Sequence, residues 1–344
     1  MHSQSATFLI LSSERKFILK QLEKLSKIPA VSGYETMGKD QLFEIFEKFG
    51  LTPQSDAYGN VFAEKKSAFS PFHILIDAHI DEIGLVVSEV LPGGFVRFEM
   101  SGGIDKKNLL CQEVMILTET PIYGVIGAVP PHLAKKGEEQ KEYLIDTGFA
   151  DAAEKIPVGT PVKLKTKYQK LKNSQYSGGC LDDRAGLLAA LMAAEKWNQD
   201  VSITVLGSVG EERGLQGIEL FLRERTFDLA VILDVTHGYF EGLNPCRSYP
   251  VGEGFTICYG GILDNKLTAK IEQYLTKKDI PHHTELEPSH PGTNAYRAVL
   301  HRIPAVMLSI PLKYMHTTVE TLSEKDVRSL ANFLSGYDWE KALR

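Results

Sequence analysis

The chain has 344 residues, enough for two packed units, and its 43% apolar and 24% charged side chains are the balance of a globular protein. A net charge of -6 without any basic run gives no footprint for nucleic acid, so no partner of that class is expected. The apolar stretch Phe8-Leu9-Ile10-Leu11 is too short for a signal-peptide core or a membrane span, and no membrane partner is expected. Cys111, Cys180, Cys246 and Cys258 form no Cys-x-x-Cys pair, which fits reduced thiols in a cytoplasm better than a disulfide framework.

Ile18, Leu22 and Leu25 recur on one face of a first helix, which Pro29 ends. A second helix is predicted from Tyr34 through Leu42, Phe43, Phe46 and Phe49, with Gly50 as its C-cap. A turn at Tyr58-Gly59-Asn60 leads into a short strand through Val61 and Phe62. The run His73-Ile74-Leu75-Ile76 reads as a buried strand. From about Val87 to Tyr176, glycines, prolines and β-branched residues alternate at short intervals, which predicts a small barrel or sandwich. After Gly178-Gly179 come a helix over 184–197, a strand over 201–208, a helix over 215–222, a strand over 229–235, a helix over 267–276 and a strand over 303–310. That alternation predicts a largely parallel α/β sheet covered by helices on both faces. The simplest organisation is one α/β domain, 1–86 and 178–344, interrupted by a β-rich domain over 87–177.

Open α/β sheets collect their sites beyond the carboxyl ends of the strands. Strand 73–76 runs out into Asp77-Ala78-His79-Ile80-Asp81-Glu82, and strand 201–206 into Gly210-Glu211-Glu212. Strand 229–233 ends at Asp234, strand 303–310 leads to Tyr314-Met315-His316, and Asp182-Asp183 precede the long helix. Taken singly, each has a plain structural role as a core histidine, an N-cap, a solvated acidic pair or a turn residue. Together they bring imidazoles and carboxylates to one sheet edge. Such a set without cysteine suits zinc, cobalt or manganese in a catalytic site. His79, Asp182, Glu212, Asp234 and His316 exceed what one catalytic zinc takes. Shared between two divalent ions with one carboxylate bridging, they give each ion three ligands. The remaining positive charge suits a bridging hydroxide, and such a pair activates water and polarises a carbonyl.

The segments AHIDEIGLVV (78–87), GGCLDDRAG (178–186), GEERGLQG (210–217), LD (233–234) and YMHTTVE (314–320) resemble the glutamyl aminopeptidase and tetrahedral aminopeptidase family. Some members of that family carry the label endoglucanase. KIPAVSGYE (27–35), SGGID (101–105) and PPHL (130–133) extend the likeness over most of the chain. The resemblance implies a metal-dependent aminopeptidase whose zinc-peptidase-like α/β domain carries an inserted PDZ-like dimerisation domain. It also implies that His79 and Asp234 hold one metal, Glu212 and His316 the other, and that Asp182 bridges them. Zinc or cobalt is the expected metal, with manganese as the alternative. Glu211 matches the general base that takes a proton from the bridging water and returns it to the leaving amine. Asp81 matches the carboxylate that orients His79 through its other ring nitrogen. The implied partners are peptides with a free N-terminus and further copies of the chain, since relatives form tetrahedral dodecamers.

One position departs from the family pattern. In PGTNAYRAV (291–299), Asn294 stands where relatives commonly have Asp, and the exchange of a charge for a donor is expected to bear on substrate preference or amine recognition. His282, His283 and His290 are expected to be solvated loop histidines, His237 to cap a turn, and Cys180 to be no nucleophile. Two other readings compete. A related dinuclear deacylase or carboxypeptidase fits the motifs and the insert less well. A metal-binding assembly protein without peptidase activity is disfavoured by Glu211, because a purely structural metal site needs no base.

Overall fold

A computed structural model describes residues 2–130, 132–133, 140–288 and 292–344, with side chains from Ser13 onward. Helix α1 (His2–Lys27) buries Ile18, Leu22 and Leu25, as their period requires. A tight turn over Glu35–Gly38 precedes α2 (Lys39–Lys48), so the second helix begins later than its apolar pattern. Among the described residues, no helix is long and apolar enough to cross a membrane.

Strands β1 (Gln54–Ser55), β2 (Val61–Lys65) and β3 (His73–His79) enter the central sheet. The chain then leaves it to build β4 (Gly84–Val90), β5 (Phe95–Ser101), β6 (Glu113–Ile116), β7 (Ile122–Ile126), β8 (Ile145–Asp146), the short α3 (Ala152–Lys155) and β9 (Pro161–Leu164). These six strands form a closed barrel in the order β4-β5-β8-β7-β6-β9, around its own core of Leu85, Val96, Val114, Ile145 and Val162. Of the two forms predicted for the β-rich stretch, the barrel is the one found. Strands β10 (Gln169–Lys170) and β11 (Gln175–Gly178) lie outside it.

The remaining elements alternate as the sequence pattern requires: α4 (Arg184–Glu195), β12 (Ser202–Ser208), α5 (Gln216–Arg223), β13 (Leu229–His237), β14 (Phe255–Gly260), α6 (Asn265–Lys277), β15 (His282–Glu287), α7 (Ala295–Leu300) and β16 (Ala305–Leu312). β17 (Glu320–Ser323), α8 (Glu324–Gly336) and α9 (Trp339–Leu343) follow, and β17 pairs with β11. The central sheet runs β1-β2-β12-β3-β13-β16-β14-β15. Its middle strands β12, β3, β13 and β16 are parallel, while β2 and β14 run antiparallel to them.

Both faces of the sheet are covered. Ile74, Ile76, Val231 and Leu233 pack under α1, α4, α6 and α8, and Leu75, Ala230 and Ile232 pack under α5 and α7. Successive strand residues point to opposite faces, so burial on both sides requires the continuous apolar runs seen in the sequence. Every residue of α4 except Glu195 is buried, which explains its Leu- and Ala-rich composition.

Candidate metal centre

β3 pairs with β13 only from Ile74 and Leu229 to Asp77 and Ile232, yet it pairs with β12 as far as His79 and Ser208. β13 continues along β16 to His237. The two strands therefore part beyond Asp77, and the predicted residues gather at that opening. His79 is the last residue of β3. Asp234 lies within β13 rather than at its end, because pairing with β16 prolongs the strand. Asp182 arrives on the loop before α4, where Asp183 is the N-cap and accepts a hydrogen bond from the Gly186 N–H at 2.9 Å. Glu211 and Glu212 follow β12, and His316 follows β16.

Asp182 stands at the centre of the group. Its Oδ1 is 3.1 Å from His79 Nε2 and its Oδ2 is 3.4 Å from His316 Nε2, so its two oxygens face different imidazoles. His316 Nε2 is also 3.3 Å from Glu212 Oε1. Ligand atoms of His79, Asp182 and Asp234 all lie within 4.8 Å of one another, and so do those of Asp182, Glu212 and His316. These are two three-donor sets with Asp182 in common.

Asp81 lies behind them, fully buried. It accepts hydrogen bonds from the Glu211 N–H at 3.0 Å and the Glu212 N–H at 3.1 Å, and its Oδ1 is 3.4 Å from His79 Nδ1. One carboxylate thus ties the end of β3 to the loop after β12 and faces the nitrogen of His79 that points away from Asp182.

Two further groups hold the site and carry no role in the sequence reading. The Gly103 carbonyl lies 2.7 Å from His316 Nδ1. A Cβ on Gly103 would come within 2.9 Å of the same nitrogen, so the close approach requires glycine. The motif SGGID contains this residue, but local sequence does not encode a contact across that much chain. The second group is the buried carboxylate of Glu320, which accepts from the N–H groups of Leu181 at 2.7 Å, Asp182 at 3.4 Å and His316 at 3.0 Å.

Protons balance the charge of this cluster. Hydrogen bonds to Asp182 and Glu212 push His316 up to about 11. Burial opposes a charge on His79, yet hydrogen bonds to Asp182 and Asp81 outweigh it and raise that imidazole too. Burial would likewise raise Asp182, but its hydrogen bonds with His316 and His79 hold it well below the usual carboxylate range. Glu211 is pushed up to about 9 by burial, with Asp234, Asp81 and Asp182 adding to the shift and His79 opposing it. Burial and then Asp182 bring Asp234 to about 7. Divalent cations supply the same compensation without the protons, and every donor is nitrogen or oxygen, so the residues fit metal ions.

Asn294 is buried, and its amide donates to Asp77 Oδ2 at 2.7 Å and Ser208 Oγ at 2.8 Å. Both of its N–H groups are spent inside the fold, so it offers none to an incoming amine. Asn294→Ala strips Asp77 and Ser208 of this donor and is expected to cost roughly 1–3 kcal/mol of stability. Denaturant unfolding measures that loss, and metal stoichiometry should be unchanged.

Other positions fall where the chain path puts them. His282 and His283 are not loop residues: they open β15, whose parallel pairing with β14 makes a strand of a polar segment at the sheet edge. His290 lies outside the described residues. His237 ends β13 and lines a cleft of about 650 Å³ that also borders His316, with Asp105, Phe240, Arg247 and Tyr314. Burial pushes the Cys180 thiol up to about 12, and it sits against Glu82 and 3.3 Å from Lys163 Nζ, a setting without nucleophilic character.

Residues 59–333 match the family model of the M42 glutamyl aminopeptidases. The chain is 28% identical to the lysyl aminopeptidase of Pyrococcus furiosus, over 89% of this chain and 92% of that protein. Its fold matches an aminopeptidase of the archaeon Desulfurococcus kamchatkensis with a TM-score of 0.88, at 28% identity over 96% of this chain and 97% of that one. It matches the TET1 peptidase of Pyrococcus horikoshii, which can assemble into a tetrahedron or a large octahedral shell, with a TM-score of 0.81 at 27% identity over 92% and 98%. The fold is that of aminopeptidases, hydrolases of peptide bonds. The chain belongs to the M42 glutamyl aminopeptidase family.

Proposed function

We propose that this aminopeptidase removes N-terminal residues from peptides with a free amine by means of two divalent metal ions, zinc or cobalt first and manganese as the alternative. The observation that carries this reading is the pair of three-donor sets meeting at Asp182. On this reading His79 and Asp234 would hold one ion, Glu212 and His316 the other, and Asp182 would serve both. Ions held there would supply polarisation of the scissile carbonyl and a water made reactive near neutral pH.

Glu211 is the general base. Its carboxyl stands among carboxylates and belongs to neither donor set, so it is free to take a proton from water and return it to the leaving amine. Asp81 and the Gly103 carbonyl face the outer nitrogens of His79 and His316, which fixes each ring with Nε2 toward Asp182. On the same reading, 1–86 and 178–344 form the catalytic domain and 87–177 a PDZ-like dimerisation insert, although the first barrel strand, β4, already begins at Gly84. The shells of the Pyrococcus horikoshii relative and the dodecamer of a second solved neighbour support a homo-oligomer, which on this reading is a tetrahedral dodecamer.

A panel of aminoacyl chromogenic substrates with N-blocked controls, assayed after loading with zinc, cobalt or manganese, tests the activity. Free-amine substrates should turn over and blocked ones should not. No turnover of any free-amine substrate by fully loaded protein overturns the reading, and equal cleavage of blocked substrates marks a deacylase instead.

A further inference from the structure

We infer that Glu320 is a positioning residue of the metal centre, its single carboxylate coupling the loop that carries Asp182 to the loop that carries His316. The inference rests on the reading of those two residues as ligands.

Glu320 opens β17, opposite Gly178 of β11, and is only 2% exposed. Its two oxygens serve different loops. Oε2 accepts from the N–H groups of Leu181 at 2.7 Å and Asp182 at 3.4 Å, and Oε1 accepts from the N–H of His316 at 3.0 Å. Both oxygens of a carboxyl group can accept, so one side chain serves two loops at once, and burial strengthens such bonds.

Both loops need holding. Cys180, Tyr314 and His316 have left-handed backbones, with φ of 58°, 59° and 60°, although none is glycine. Such conformations persist only where surrounding contacts over-determine them. The bonds to Glu320 fall on His316 itself and on the residues directly after Cys180, where that constraint is required.

Asp81 does the same work on the other side of the site, tying His79 to the backbone of Glu211 and Glu212. The two carboxylates divide four ligand segments between them. Asp234 needs no such tie, because it sits inside β13, which stays paired with β16 through and beyond it. A buried carboxylate with a purely structural task looks the same but stands elsewhere: Asp326 accepts from the N–H groups of Gly252 at 2.6 Å and Gly254 at 2.9 Å, on segments that bear no ligand.

Glu320→Gln keeps the shape of the side chain, but its amide nitrogen then meets an N–H donor from one of the loops. The loops lose their common anchor. Asp182 serves both donor sets and His316 only one, so the two ions should be affected unequally.

Cobalt binding to the metal-free protein, read from its visible absorption under chelator competition, tests this alongside the thermal unfolding midpoint. Wild type and Asp326→Asn should bind two equivalents with the same affinities, Asp326→Asn lowering only the midpoint. Glu320→Gln should weaken one binding step by about 10–100-fold while the other moves far less. Glu320→Asp keeps the carboxyl group but shortens the reach; it should show the same inequality to a smaller degree, and it decides the matter if the Gln variant does not fold. A folded Glu320 variant that binds both equivalents as the wild type does, or loses both equally, overturns the inference alone. Wild-type protein that takes fewer than two equivalents overturns the metal-centre reading and this inference with it.

Discussion

Glu211→Gln is expected to keep both metal equivalents and to lose turnover by roughly 10²- to 10⁴-fold. The side chain of Glu211 belongs to neither donor set, and its backbone N–H still reaches Asp81 after the substitution. Glutamine has nearly the shape of glutamate but cannot take a proton from water. Binding contacts to the substrate are preserved, so kcat should carry the loss and KM should move little. Metal analysis of the dialysed variant, together with steady-state kinetics, separates the outcomes. Loss of metal along with turnover would mean that Glu211 and Glu212 exchange roles.

Metal-free protein is expected to lose stability as the pH rises from about 5 to 9, while metal-loaded protein does not. Burial raises Glu211 to about 9, Glu320 to about 8 and Asp234 to about 7, and hydrogen bonds to Asp182 and Glu212 raise His316 to about 11. Each group binds its proton more tightly folded than unfolded. Its contribution is therefore complete below the unfolded value, near 4 for the carboxyls and about 6.5 for the imidazole, and is gone above the folded one. Asp182 and Asp81 are held low and act with the opposite sign, but only below about pH 4.

A net shift of even two pKa units across the set is about 3 kcal/mol, on the order of 5 °C or more in midpoint. Metal ions reverse the trend, because ligands must shed protons to bind them and the stabilisation therefore grows with pH. Thermal unfolding across this range, with chelator and with saturating metal, measures the divergence. Parallel curves would show that the raised groups do not belong to the ion-binding cluster.

Much of the architecture is legible in the chain. Strands β3, β12 and β13 are buried on both faces, so their apolar runs announce them without reference to neighbours. Helix α4 is buried nearly all round and is recognisable by composition alone. The closely spaced glycines, prolines and β-branched residues of the insert point to short strands, although periodicity does not distinguish a barrel from a sandwich. That choice depends on which edges meet, and β4 meets β9. β15 hides for a related reason: His282–Glu287 is a polar segment, and only β14 beside it makes it a strand.

For the candidate site, local period and punctuation in the chain show which imidazoles and carboxylates are available and place His79, Glu212 and His316 at or just beyond strand ends, but not Asp234, which pairing with β16 leaves inside β13. The tertiary structure alone decided how they meet. That the oxygens of Asp182 face two different histidines, that Gly103 reaches His316 from the edge of the barrel, and that Glu320 joins two loops are facts about distances between segments far apart in the chain. Asn294 shows the same division. Its motif points toward the substrate, but packing against β3 and β12 spends its amide on Asp77 and Ser208. Local periodicity records which face of an element is buried; it holds no information about which other element covers that face.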